Sequence, residues 1–150
     1  MRILITGANG QLAKVLLRVL RQDSPSYHIF AFSHAQLDVT NQKELEKKLS
    51  SILPDCFINL AAYTDIEQAE IKKTIAWATN ALAPAIIAKL CKHFGIRFIH
   101  LSSNYVFSGL GPTKYYYREQ DQTSPINYYG LSKQEGEKAL LHHKDDALII

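Results

Sequence analysis

Thr6-Gly7-Ala8-Asn9-Gly10-Gln11-Leu12-Ala13 follows the apolar run Arg2-Ile3-Leu4-Ile5 and opens a segment of helical periodicity. Gly7 permits a tight turn there, and Gly10 lets the backbone come close to a pyrophosphate. Ala13 stands where a third small residue allows close packing of helix on strand. The helix N-terminus would offer free N–H groups and a positive dipole end to phosphates. A bare GxxGxxA spacing is weak, because glycines also mark ordinary turns. In the first strand-to-helix turn of an alternating chain it is strong, and it predicts a dinucleotide site.

The rest of the chain alternates as that reading requires. Runs with strand character occupy Arg2–Thr6, His28–Phe32, Asp55–Leu60, Arg97–Leu101 and Ala147–Ile150. Most are short, continuous and rich in Ile, Leu or Phe, as strands covered on both faces are. Between them, Leu12, Val15, Leu16, Val19 and Leu20 form one helical stripe, and Leu45, Leu49 and Ile52 another. Asn41 with Glu44 offers a capping-box start to the second helix. Thr74–Phe94 is apolar nearly all round, with Pro84 placed to kink it, and a last helix is predicted from Asn127 to His143. Steady alternation means right-handed crossovers and an α/β fold, a doubly wound parallel sheet of Rossmann type. Ser108–Ile126, with Gly109, Gly111, Pro112 and Tyr115-Tyr116-Tyr117, is the one long irregular stretch. Loops of that length are usually functional or mobile.

Composition narrows the function classes. The 150 residues suit one domain, and 47% hydrophobic with 21% charged residues is ordinary for a globular chain. A net charge of +3 is too mild to imply a nucleic-acid or membrane-surface partner. No apolar run in the sequence approaches a membrane span, and Met1 leads straight into a strand rather than a signal peptide. Cys56 and Cys91 have no metal-ligand spacing and read as buried thiols in a reducing, cytoplasmic setting. The chain stops at Leu148-Ile149-Ile150, inside a strand-like run. Residues 1–150 are therefore expected to be a first, dinucleotide-binding domain, cut off before a substrate domain.

The usual acid for a ribose 2′-OH is missing from the end of the second strand, which reads Phe32-Ser33-His34. Ser33 or His34 tolerates a 2′-phosphate, so both NADPH and NADH are open. Asp38, the next acid, reads from its neighbours as a helix-start residue. Tyr129-Gly130-Leu131-Ser132-Lys133 puts a phenol and an ammonium on one helix face. Chance alone predicts about 0.6 such Tyr-to-Lys pairs in this chain, so chemistry rather than spacing gives the pair weight. A Lys⁺ favours the phenolate, and such a tyrosine can hand its proton to a carbonyl as hydride arrives. Ser102-Ser103-Asn104 lies just past the fourth strand, at the carboxyl edge where open α/β sheets bind ligands. Serines there also serve as plain helix caps. The six histidines do not cluster, and His100 sits within a strand pattern.

Taken in order, several segments resemble one family. They are Thr-Gly-Ala-Asn-Gly-Gln-Leu at 6–12, Leu-Asp-Val-Thr at 37–40, Asn-Leu-Ala-Ala-Tyr-Thr at 59–64 and Asn-Ala-Leu-Ala-Pro at 80–84. Ser-Ser-Asn-Tyr-Val-Phe-Ser-Gly at 102–109 and Tyr-Gly-Leu-Ser-Lys at 129–133 complete the set. Together they resemble the dTDP-4-dehydrorhamnose reductase family of extended short-chain dehydrogenase/reductases, along essentially the whole chain. The resemblance implies NAD(P)H-dependent reduction of the C4 ketone of a nucleotide-linked deoxysugar, in dTDP-L-rhamnose and polysaccharide biosynthesis. It places Gly10, Gln11 and Leu12 along the pyrophosphate, Asp38 and Val39 beside the adenine, and Ala61, Ala62 and Tyr63 at the cofactor's border. It makes Tyr129 the proton donor and Lys133 the ribose-binding residue that lowers the Tyr129 pKa. Ser103 completes the triad, and with Asn104 lies at the sugar. The family usually has Ser-Thr-Asp where this chain has Ser102-Ser103-Asn104. Serine keeps the hydroxyl, whereas Asn104 removes a charge near the sugar.

A second reading belongs to another class, a dinucleotide-binding regulatory or interaction subunit. The regulatory β subunit of methionine adenosyltransferase resembles the same family and acts by binding a partner. Tyr129 and Lys133 favour the enzyme. The expected partners are a small nucleotide-sugar substrate and a second copy of the chain in a homo-oligomer, with no nucleic acid and no membrane.

Overall fold

Five strands form one parallel sheet in the order β2-β1-β3-β4-β5 in the computed structural model, which describes residues 1–23, 27–109 and 116–150. They are β1 (Arg2–Thr6), β2 (His28–Phe32), β3 (Cys56–Asn59), β4 (Arg97–His100) and β5 (Leu148–Ile149). The helices are α1 (Gln11–Asp23), α2 (Gln42–Ile52), α3 (Ile66–Ile71), α4 (Lys73–Trp77), α5 (Ala83–Phe94) and α6 (Tyr128–His143). The predicted fold class holds: this is an α/β, Rossmann-type chain. The first two strands match the sequence reading residue for residue, and the other three are shorter at their ends.

Topology decides which helix covers which face. The chain steps one way from β1 to β2, then the other way from β2 to β3, β4 and β5. Right-handed crossovers therefore put α1 on one face and α2, α5 and α6 on the other. Register agrees. Leu4, Phe57 and Phe98 lie side by side across three strands, all fully buried in the core shared with Leu45, Leu49, Ile87 and Leu140. Phe57 and Phe98 meet edge to face at 5.9 Å between centroids. Each such side chain contributes about 1.5–3 kcal/mol by burial.

The opposite row, Ile5, Ile58, Ile99 and Leu148, passes from fully buried to 53% exposed as it leaves the cover of α1. Cover on both faces was expected of most strands; among the described residues only the β1 side has it. The α1 stripe corrects in the same way. Leu12, Val15 and Val19 are exposed and Leu16 and Leu20 half-buried, so Ala13 is the residue of α1 that is fully buried. The physical reason is that, among the described residues, α1 has no neighbouring helix on its face to cover its apolar flank.

The apolar segment predicted at Thr74–Phe94 becomes α4, a π-helical turn (Ala78–Leu82) and α5. Pro84 sits in the first turn of α5, where its missing N–H breaks the regular ladder, and the π turn lies immediately before it. The expectation that no run approaches a membrane span is corrected here: Lys73–Phe94 is long and apolar enough by length and composition, because three successive helical segments join end to end, but half of it is buried and α5 packs between α2 and α6. Asn41 caps α2 by accepting from the Glu44 N–H, the forward half of the predicted capping box. Asn127 likewise caps α6, accepting from Gly130 N at 2.7 Å. Gly136 lets α6 lie directly on the π turn, because a Cβ there would collide with the Asn80 carbonyl. Within the irregular stretch, Phe107 and Tyr117 stack at 4.4 Å and Ser124 N donates to Val106 O at 2.9 Å. Gly111, Pro112 and Tyr115 lie outside the described residues.

Candidate active site

A cavity of about 900 Å³ opens at the carboxyl ends of the strands. That is near the upper end of cofactor-sized pockets, about 300–1,000 Å³. Its floor begins at the glycine turn. Gly7 has φ +72°, and a Cβ on it would lie 2.6 Å from the Leu60 carbonyl group. Ala8 N donates to Phe32 O at 3.0 Å and Gly10 N to Gly7 O at 2.9 Å, so the turn is tied to the end of β2 and closed on itself. Gln11, Leu12 and Ala13 form the first turn of α1, whose N–H groups have no carbonyl one turn earlier to bond. With Gly7, Asn9 and Gly10 they line one end of the cavity. This cradle of backbone donors and absent Cβ atoms fits a pyrophosphate.

The second wall comes from the segment after β2. His34, Leu37, Asp38 and Val39 line the cavity, with Leu37 and Val39 buried as an apolar shelf. Asp38 does not cap α2, as its neighbours in sequence had predicted; Asn41 does. Instead Asp38 Oδ1 accepts from Thr40 N at 2.9 Å and Thr40 Oγ1 at 2.8 Å. Burial opposes the charged carboxylate, but these two hydrogen bonds and nearby His34 hold its pKa below the ordinary value. Ala61, Ala62 and Tyr63, after β3, form the next wall. Buried Asn80 pins that segment, accepting from Tyr63 N at 2.9 Å and donating to Tyr63 O at 3.0 Å.

α6 carries the reactive pair to the far end. Tyr129 and Lys133 both line the cavity, one turn apart, and are 8% and 1% exposed. Lys133 Nζ donates to Leu101 O at 2.5 Å and lies 3.4 Å from His100 Nε2. Burial pulls Lys133 from 10.5 down to about 8, against the opposing pull of Glu137. Burial, helped by Lys133, also lowers His100 to about 3, so the ring is neutral. Ser102 lines the cavity, but its hydroxyl donates to Glu137. Ser103 and Asn104 do not line it. Ser103 caps the 3₁₀ turn Asn104–Val106, its Oγ accepting from Tyr105 N at 3.2 Å, and Asn104 is exposed. Cys56 and Cys91 are buried free thiols, as expected, with Cys91 pushed up to about 12 by burial.

The Lys133 shift carries a stability prediction. Between pH about 8 and 10.5 the unfolded chain holds this proton and the folded chain does not, so stability rises with pH across that window. The gain is roughly 3 kcal/mol at its top and absent below it. Urea midpoints at neutral and alkaline pH should rise more steeply for the parent than for Lys133→Met. Parallel profiles would show that this amine does not carry the shift.

The sequence reading did not foresee the polar row behind the site: Thr6, Asn59 and His100, adjacent in register and at most 1% exposed. One signal was available. Each is the polar last residue of a strand, directly after two or more apolar ones. It also missed Asn80, since nothing local marks a π turn that turns an asparagine inward.

Residues 1–150 match the family model described as the RmlD substrate binding domain. The chain is 36% identical to a dTDP-4-dehydrorhamnose reductase of Aggregatibacter actinomycetemcomitans over 149 residues, which is 99% of this chain and 50% of that protein. A crystal structure of a dTDP-4-dehydrorhamnose reductase from Clostridium acetobutylicum superposes with a TM-score of 0.93 at 31% identity, covering 99% of this chain and 52% of that one. A Bacillus anthracis dTDP-4-dehydrorhamnose reductase, solved in complex with NADP, gives 0.91 at 35% identity, covering 99% and 51%. The chain thus spans about half the length of these relatives. A glycine cradle, a Tyr–Lys helix and a match from the first residue to the last lead to one conclusion: the chain belongs to the dTDP-4-dehydrorhamnose reductase family.

Proposed function

We propose that residues 1–150 form the dinucleotide-binding and proton-donating part of an NAD(P)H-dependent reductase. Its substrate is the C4 ketone of a nucleotide-linked deoxysugar of the dTDP-4-dehydrorhamnose type, and its setting is cytoplasmic. The observation that carries the reading is convergence. Tyr129 and Lys133 open into the same cavity as the first turn of α1. The nicotinamide group, when bound, supplies the hydride. Gly7, Gly10, Gln11 and Leu12 would hold the pyrophosphate on backbone N–H groups, and Asp38 and Val39 would flank the adenosine. Ala61, Ala62 and Tyr63 would close the wall between them.

Tyr129 would donate its hydroxyl proton to the C4 oxygen, and Lys133 would hold the nicotinamide ribose and favour the phenolate left behind. Ser103 is the proposed third polar group and Asn104 a sugar contact, both on the loop that continues from cavity-lining Leu101 and Ser102. Asn104 offers the sugar an amide rather than a carboxylate.

Titration of NADPH fluorescence tests the cofactor half of the reading. A Cβ at Gly10 would already sit 3.1 Å from Gly7 O. Gly10→Val should therefore leave a folded chain, by circular dichroism, that no longer binds NADPH. An unchanged titration would remove the dinucleotide assignment. A protein that binds NADPH but leaves dTDP-4-dehydro-L-rhamnose unreduced, even as its complete reading frame, fits the regulatory-subunit reading instead.

A further inference from the structure

The polar row behind the cavity has a donor–acceptor order that only one arrangement satisfies. Asn59 Oδ1 accepts from Ala61 N at 3.2 Å and from Thr6 Oγ1 at 2.7 Å. A backbone N–H can only donate, so the Asn59 oxygen must face it and the amide cannot be flipped. Asn59 Nδ2 therefore faces His100 Nδ1, at 3.1 Å, and donates to it. In a neutral imidazole whose Nδ1 accepts, the proton sits on Nε2. That N–H is aimed at Lys133 Nζ, 3.4 Å away.

An ammonium has three donors and no acceptor, whereas a neutral amine has a lone pair. Charged Lys133 would set donor against donor in a site where both groups are only 1% exposed. Neutral Lys133 accepts from His100 and still donates to Leu101 O. We propose that His100 is a positioning residue for Lys133: locked by Asn59 as the Nε2–H tautomer, it presents a donor to the amine and favours neutral Lys133 in the empty cavity. An anionic dinucleotide entering the cavity would then add a proton from water to Nζ. The inference rests on the assignment of Lys133 to the reacting end of the site.

The groups around Nζ are few. From β4 comes neutral His100, and from the following loop the Leu101 carbonyl and Ser102. From α6 itself come Tyr129 and Glu137, one turn to either side. Glu137 favours the charged amine, but its carboxylate is also engaged by the Ser102 hydroxyl. Burial already brings Lys133 down to about 8, and the opposed donor works in the same direction. The row thus acts on Lys133 in the same direction as its burial, so that a change in its surroundings bears directly on its charge.

Ring-nitrogen NMR of the unmodified protein at neutral pH tests this without any turnover. His100 should show a protonated Nε2 and an unprotonated Nδ1; the opposite tautomer or a doubly protonated ring would overturn the proposal. His100→Leu should raise the Lys133 titration, followed at Nζ, by about one pH unit. An unmoved or lowered value would overturn it. Because that variant leaves Asn59 Nδ2 without its acceptor, the isosteric Asn59→Asp is the second test. Its carboxylate keeps the bonds from Thr6 and Ala61 but accepts from Nδ1, so the His100 proton should move to Nδ1; a proton remaining on Nε2 would refute the lock. Failure of Tyr129→Phe to slow reduction would remove the catalytic reading while leaving these measurements to judge the row.

Discussion

Tyr129→Phe, made in the complete reading frame, is expected to lower reduction of dTDP-4-dehydro-L-rhamnose by about 10²–10⁴ with little change in NADPH affinity. The substitution removes one oxygen from a side chain that is 8% exposed and packed edge to face on Tyr105 at 5.7 Å. Phe keeps the ring, that contact and the fold. What is lost is the proton that must reach the C4 oxygen as hydride adds to the carbon. A factor of 10²–10⁴ is about 3–5 kcal/mol of barrier, far more than a buried hydroxyl adds to stability. Initial rates at saturating NADPH, with a parallel fluorescence titration, separate the two quantities. Full turnover in the variant would mean that the proton comes from elsewhere. A joint loss of binding and rate would mean that Tyr129 holds the cofactor rather than serving as the acid.

Gly7→Ala should cost roughly 3 kcal/mol or more of stability and abolish NADPH binding. Two independent penalties meet at this residue. Its φ of +72° is strained for any side chain, and its Cβ would lie 2.6 Å from Leu60 O and 2.7 Å from Ala61 N. Those neighbours are backbone directly after the end of the β1–β3 ladder, with Ala61 N held by Asn59 Oδ1, and cannot swing aside as a side chain would. Relief requires the turn to move away from β3, which pulls the first turn of α1 off the phosphate position. Gly95 is the internal control. It has φ +66° at the C-cap of α5, but open space where a Cβ would go. Gly95→Ala should carry the dihedral penalty alone. Urea midpoints for the two variants measure the difference. Equal losses would show that the close approach to Leu60 and Ala61 is not what requires glycine at position 7.

Much of this molecule follows from local chemistry. Continuous Ile, Leu and Phe runs, a GxxGxxA turn after the first of them and helical stripes between are enough for the parallel sheet, since right-handed crossovers leave few other topologies. The pyrophosphate cradle was legible for the same reason: turn glycines and a helix N-terminus are features of adjacent residues. The Tyr129–Lys133 pair was legible because the helix repeat alone puts two side chains four apart on one face.

Other features depend on partners far apart in the chain. The exposure of Leu12, Val15 and Val19 follows from α1 having, among the described residues, no neighbouring helix on its face of the sheet, which no periodicity reveals. Asp38 reads locally as a helix start, yet Asn41 takes the cap and Asp38 turns to the cavity. Ser102 rather than Ser103 lines that cavity, a choice made by one residue of backbone register at the end of β4. The Thr6–Asn59–His100–Lys133 row joins four elements separated by dozens of residues. Periodicity assigns a side chain to a face; its hydrogen-bond partner is assigned by which strands lie side by side, and that is settled only when the sheet closes.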